Sequence, residues 1–117
     1  MATIRIQSGW SSTAAANPGI TNVDHTWLSS YGSDDRFHDI GTSEESITFT
    51  DIAVNGWVKL ENINATNYVQ VGFSTGVYGI RLKPGFSAVF FLEPGATIYL
   101  KANTAACRVR ASHIGAV

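Results

Sequence analysis

The sequence predicts an all-β protein, and three observations carry that reading. Helical periodicity is missing almost everywhere, and apolar and polar residues alternate with period two from residue 45 to the end. Short strands with turn signals between them recur about every ten residues, the spacing at which they build a β-sandwich or a barrel, with the jelly roll among the topologies available.

At the N-terminal end, Ile4 and Ile6 alternate with Arg5 and Gln7 and predict a first strand. Residues 9–36 read differently: Gly9 to Gly19 is small, polar and unpatterned, and the remainder of that segment offers at most one short strand, near His25 to Ser29. So long a structureless stretch is unusual inside a compact domain, so an arm or binding loop is expected there, with Trp10 and Trp27 docking onto a neighbour. The expected organisation is one domain overall, with residues 1–40 as an N-terminal strand plus extended arm and residues 41–117 as the sandwich core.

Within that core, Ile47 and Phe49 alternate with Ser46, Thr48 and Thr50, and Val58 and Leu60 with Trp57, Lys59 and Glu61. Val69, Val71 and Phe73 oppose Gln70 and Gly72; Ile80 and Leu82 oppose Arg81 and Lys83. Ile98, Leu100 and Ala102 alternate with Thr97, Tyr99 and Lys101, and Cys107, Val109 and Ala111 share one face of the last strand. Asn55-Gly56 predicts a tight hairpin turn, whereas Lys83-Pro84-Gly85 and Glu93-Pro94-Gly95 place Pro and then Gly as type II turns require. Between the two Pro-Gly turns, Phe86 to Leu92 is apolar on both faces, so this strand is either central in the sandwich or covered by another subunit. Val89 and Phe91, with Trp10 and Trp27, are the candidate interface residues.

Composition agrees with a protein that is covered by neighbours. At 117 residues and 12.6 kDa the chain is one domain long, and with 44% hydrophobic residues and a mean hydropathy of +0.05 it can bury a core. Only 15% of residues are charged, against about 25% usually. A net charge of −1 and a pI near 6.2 exclude a global basic field. The charge is divided, however: residues 1–58 hold seven acids and two bases, residues 59–117 two acids and six bases. Either copies meet head to tail through opposite patches or the fold mixes these charges together.

The chemistry-bearing residues form no familiar constellation. Cys107 is the sole cysteine, which excludes an internal disulfide framework and any CxxC knuckle, and its phase predicts a small buried apolar residue. Asp34, Asp35, His38 and Asp39, with Glu44 and Glu45 close by, could offer carboxylate oxygens to a cation, but the spacing fits no EF-hand register and a solvated acidic loop is expected. His25, His38 and His113 are too dispersed to spell a zinc site, and the phase of His113 predicts a hydrogen-bonded core or interface histidine. Asp24-His25 has no nucleophile that the sequence places nearby, and neither a GxSxG elbow nor a phosphate-binding glycine motif is present. No catalytic residue, cofactor or metal is therefore expected. Arg81, Lys83, Lys101, Arg108 and Arg110 lie on outward phases with Tyr99 among them, the recipe for a single-strand platform, but the acidic first half opposes it and nucleic acid is not expected as a partner. With no apolar leader segment and no run long enough to span a bilayer, no membrane contact is expected either.

From residue 41 to 111 the order of features carries a resemblance. Gly41-Thr42-Ser43-Glu44-Glu45 leads into a strand, Asn55-Gly56 into Leu60-Glu61-Asn62, and Thr66-Asn67-Tyr68-Val69-Gln70-Val71-Gly72 comes next. Then come Ile80-Arg81-Leu82-Lys83-Pro84-Gly85, Phe90-Phe91-Leu92-Glu93-Pro94-Gly95 and Ile98-Tyr99-Leu100-Lys101-Ala102. This resembles small tailed-bacteriophage virion proteins of β-sandwich type, among them capsid decoration (cement), neck and fibre-associated proteins. The resemblance implies a single antiparallel, jelly-roll-like sandwich. It also implies a non-enzymatic capsid decoration protein, a homo-oligomer with a trimer favoured, made in the host cytoplasm and residing in the virion against the major capsid protein. The alternative is a carbohydrate- or surface-binding module of a tail fibre, or a neck or tail component.

Overall fold

The computed structural model describes residues 2–10, 21–29, 32–49 and 52–115, which contain strands and connections and no helix. The chain divides into two compact units, Met1–Ser30 and Tyr31–Val117. In the first, β1 (Ala2–Trp10) pairs antiparallel with β2 (Thr21–Ser29), from Ala2 opposite Ser29 to Trp10 opposite Thr21. Strand β2 is nine residues long, more than the one short strand expected near His25 to Ser29, while residues 11–20 of the expected arm lie outside the described residues. A two-stranded ladder satisfies main-chain groups whatever the side-chain pattern, and the second strand is rich in Thr, Val and Trp, which suit a pleated backbone. Trp10 ends β1 and Trp27 stands opposite Ile4; their side chains lie outside the described residues.

The second unit is a sandwich of eight strands: β3 (Ser33–Ile40), β4 (Glu45–Ile47), β5 (Trp57–Asn62), β6 (Val69–Gly72), β7 (Ile80–Leu82), β8 (Ser87–Phe91), β9 (Ile98–Ala102) and β10 (Cys107–Ile114). They form two four-stranded antiparallel sheets with orders β3-β10-β5-β8 and β4-β9-β6-β7. Strand β3 pairs with β10, β4 with β9, β5 with β8 and β6 with β7. This unit thus folds as one long hairpin wrapped over two sheets, which is the jelly roll. The sandwich begins at β3, ahead of residue 41, because the acidic segment is an edge strand and not a loop: it pairs with β10 along its whole length, from Ser33 opposite Ile114 to Ile40 opposite Cys107.

The period-two pattern delivers the core, except that Phe73, read in phase with Val69 and Val71, lies beyond the end of β6 and is exposed. Val58 and Leu60, Val69 and Val71, Ile98 and Leu100, and Cys107, Val109 and Ala111 are all buried between the sheets. Each large aliphatic side chain so placed contributes about 1.5–3 kcal/mol. Both Pro-Gly turns form as expected, with Gly85 at φ 77° and Gly95 at φ 82°. The Phe86 N–H donates to the Lys83 carbonyl at 2.9 Å and the Ala96 N–H to that of Glu93 at 3.0 Å. Each of these turns carries the chain from one sheet to the other, and the two enclose β8.

Two expectations change. Asn55-Gly56 makes no hairpin, because β4 and β5 belong to different sheets; the pair is instead a junction that joins the second Pro-Gly turn to β10. And the doubly apolar β8 is not central: it is the outer edge of its sheet, with Ala88 and Phe90 half-buried on the inner face and Val89 and Phe91 exposed on the outer one.

Candidate interaction surface

The surface is built around β8, and its rigidity starts at β5. At the far end of β5, buried Asn62 donates its side-chain amide to the carbonyls of Asn67 and Leu82, both at 2.9 Å, and its Oδ1 accepts the Asn64 N–H. Its main chain holds the first Pro-Gly turn, donating to Phe86 and accepting from Gly85. Just ahead of β5, Asn55 does the same for the second turn, its Nδ2 donating to the carbonyls of Glu93 at 3.0 Å and Ala96 at 3.2 Å. The neighbouring Gly56 donates its N–H to His113 Nε2 and accepts from Leu92. Strand β8 is therefore clamped at both ends. The sequence reading takes Asn55 as a hairpin-turn residue and misses the clamping role of both asparagines, although Asn62 left a signal: it stands in phase with Val58 and Leu60, on the buried face.

The outer face of this sheet divides into two halves. Register places Asp35, Ser112, Lys59 and Val89 in one row across the four strands, and Phe37, Arg110, Glu61 and Ser87 in the next. On the β3 side the charges neutralise one another. Arg110 donates to Asp35 through Nε at 3.0 Å and Nη2 at 2.7 Å, and Ser112 adds a third hydrogen bond. These bonds hold the Asp35 carboxyl below its ordinary range. Arg108 pairs with Asp39 at 3.6 Å, and the Phe37 ring lies 5.0 Å from the Arg108 guanidinium. On β5, Lys59 and Glu61 pair with each other at 3.4 Å, and along β8 the face is apolar beyond Ser87: Val89 is 39% and Phe91 48% exposed, and Phe91 meets Trp57 edge to face with centroids 5.5 Å apart. Behind them, Phe73 packs edge to face on Phe90 at 5.5 Å and is itself exposed.

The remaining candidates are dispersed. Strand alternation sends Asp34 inward beside Arg36 and sends Asp35 and Asp39 outward, while Glu45 accepts the Gly41 N–H. Glu44 bonds the Tyr78 hydroxyl at 2.5 Å and the Gly76 N–H at 2.7 Å, tying the β6–β7 loop to the approach to β4. That clasp lowers the Glu44 carboxyl and pushes the Tyr78 phenol up to about 12. The acidic cluster is thus spread over separate partners. The proposed basic stripe is also divided: Arg108 and Arg110 belong to one sheet, Arg81 and Lys101 to the other, where Arg81 stacks over Tyr68 at 4.1 Å. Cys107 is buried against the Asn67 and Ala105 carbonyls, and burial pushes its thiol up. His113 is a core histidine, as its phase predicts. An open groove of about 360 Å³ where β4 ends and β9 begins, lined by Ser46, Phe49, Asn55 and Thr97 among others, has no titratable side chain in its described lining.

No family model matches this chain. No curated protein matches its sequence. The described residues define a jelly-roll sandwich whose outer sheet face is charge-paired across β3, β10 and β5 and apolar along the β8 edge.

Proposed function

We propose that this protein is a non-enzymatic structural component of a tailed-bacteriophage virion, a capsid decoration or cement protein that stabilises the shell as a homo-oligomer against the major capsid protein. The observation that carries the reading is the exposed, uncharged β8 edge with Val89 and Phe91 beside Trp57, on a sheet whose other half neutralises its own charges. An apolar patch rimmed by satisfied polar groups is a surface built to be covered. The mechanism is mass action: copies that bind assembled lattice and not free subunits stabilise the lattice, and many weak contacts add. Jelly rolls serve in capsid and lectin domains alike, so a glycan-binding module of a tail fibre is the second reading, supported by the same aromatic pair. Quantitative mass spectrometry of particles purified from the source tests the proposal. The decoration reading expects this chain at a copy number comparable to the major capsid protein. A few copies per particle favour the fibre or neck reading, and absence from particles refutes both.

A further inference from the structure

The sandwich has four sheet edges, and three are protected. Strands β4 and β7 are three residues long, and β7 carries Arg81 and runs into Lys83-Pro84. On β3 the register turns Asp34 and Arg36 inward at the rim, opposite buried His113 and Ala111, and the two bond each other at 2.9 and 2.8 Å. Short strands, prolines and inward charges are the devices by which proteins prevent edge-to-edge pairing. Strand β8 has none of them: Ser87-Ala88-Val89-Phe90-Phe91 contains no charge, no proline and no glycine.

Its open hydrogen-bonding groups are fixed by the ladder. Leu92 donates to Gly56 and Phe86 accepts from Asn62, so the residues in step with them, Ala88 and Phe90, turn their main chain toward β5. Ser87, Val89 and Phe91 then present their N–H and C=O groups to the free side.

We infer that β8 is a self-association edge, at which two copies of this chain pair β8 to β8, antiparallel, about a two-fold axis at Val89. Each sheet then continues into its copy as one sheet of eight strands. The free groups match under this operation, Val89 with Val89 and Ser87 with Phe91 of the second copy, each pair exchanging two hydrogen bonds. Sizes match as well: Phe91 falls opposite Ser87 on the outer face and Phe90 opposite Ala88 on the inner one, so each aromatic ring meets a small residue. On the outer face Phe91 and Val89 of both copies join in one apolar ladder. Charge does not oppose the pairing, because Lys59 stands opposite Val89 on β5. The two Lys59 strands are then three strand spacings apart, roughly 14 Å, beyond the Debye length of about 8 Å at physiological salt. The Asn55 and Asn62 clamps hold the edge in shape beforehand, so little ordering opposes association. A second copy fits this edge better than an arbitrary strand because the large-small alternation is its own complement. The inference does not depend on the virion reading.

Light scattering of the full chain at micromolar concentration, with two variants, tests it. The expected mass is twice the 12.6 kDa of the chain, or an even multiple. Val89→Lys, an exposed substitution that sets two like charges face to face at the axis, is expected to halve the mass with an unchanged circular dichroism spectrum. Val89→Cys is expected to form an interchain disulfide under mild oxidation, since facing hydrogen-bonded residues lie about 5.5 Å apart between Cα atoms, within disulfide range. Arg81→Cys, on the β7 edge, is expected to stay unlinked. A monomer at every concentration, a trimer, an oligomer that survives Val89→Lys, or a Val89→Cys chain that links no faster than Arg81→Cys overturns the inference.

Discussion

Lowering the pH from 7.5 to 5.5 is expected to destabilise the sandwich through His113. The ring is 1% exposed and packs edge-on against Phe49, with centroids 4.3 Å apart. Its Nε2 accepts the Gly56 N–H at 2.9 Å, so the neutral ring carries its proton on Nδ1, an atom with no hydrogen-bond partner among the described residues. A second proton would set an Nε2–H against the Gly56 N–H, donor against donor, and would put a charge in the core. Burial therefore lowers the His113 pKa, opposed more weakly by Asp34 across the β3–β10 ladder, where Asp34 also bonds Arg36; the groups facing it from the other side, Phe49, Gly56 and Val58, are uncharged. In the unfolded chain the imidazole binds its proton near pH 6.5. The stability this neutral histidine contributes is thus complete above about 6.5 and is lost as pH falls from there toward its folded value, at up to about 1.4 kcal/mol per pH unit. For a domain of this size that corresponds to roughly 4–8 °C of Tm per kcal/mol. Half-buried His38 acts in the same direction, through burial first and Arg36 second. Asp35 and Glu44, held low, weaken the fold only in the more acid carboxylate range. Thermal unfolding at pH 7.5, 6.5 and 5.5 should show a falling midpoint in the native chain and a flatter profile in His113→Gln, which starts lower because the ring's packing is gone. Equal slopes in the two proteins would refute the assignment to His113.

Other consequences of the structure are open to similar checks. Asn62→Ala removes two donors from buried carbonyls and one acceptor from Asn64, and urea unfolding should register a loss of about 3 kcal/mol, the upper end for buried partners left unpaired. Gly72→Ala should cost about 1–3 kcal/mol in the same assay, because a Cβ at Gly72 would overlap the Val77 carbonyl and force the β6–β7 loop outward. Tyr78, pushed up to about 12 by Glu44, should stay protonated at pH 11, so an ultraviolet titration should count one fewer tyrosinate in the native chain than in Glu44→Gln.

The β-sandwich was legible because its signal is local. Alternation at Val58 and Leu60, Val69 and Val71, and Ile98 and Leu100 states which side of each strand is buried, and Pro84-Gly85 and Pro94-Gly95 state where the chain reverses. Even the inward phase of His113 and Cys107 comes from counting in twos. Segments without that signal were misread. The acidic run from Asp34 to Asp39 lacks an apolar face, yet it is a strand because β10 supplies its hydrogen bonds, and β2 is a full strand because β1, whose Ile4 and Ile6 do alternate, pairs with it. Asn55-Gly56 has the residues of a hairpin turn and serves instead as a junction between Glu93, Ala96 and His113, more than thirty residues away in sequence.

The candidate surface belongs to this second kind. Sequence alone determined that the stretch from Phe86 to Leu92 is apolar on both faces, and left a central strand and an exposed one equally consistent with that pattern. Only the tertiary structure decided between them, because position within a sheet is set by pairing partners distant in the chain: β8 has β5 on one side and, among the described residues, no strand on the other. Periodicity reports the environment of side chains above and below a strand, whereas an edge is defined by main-chain groups in the plane of the sheet, which every residue carries alike.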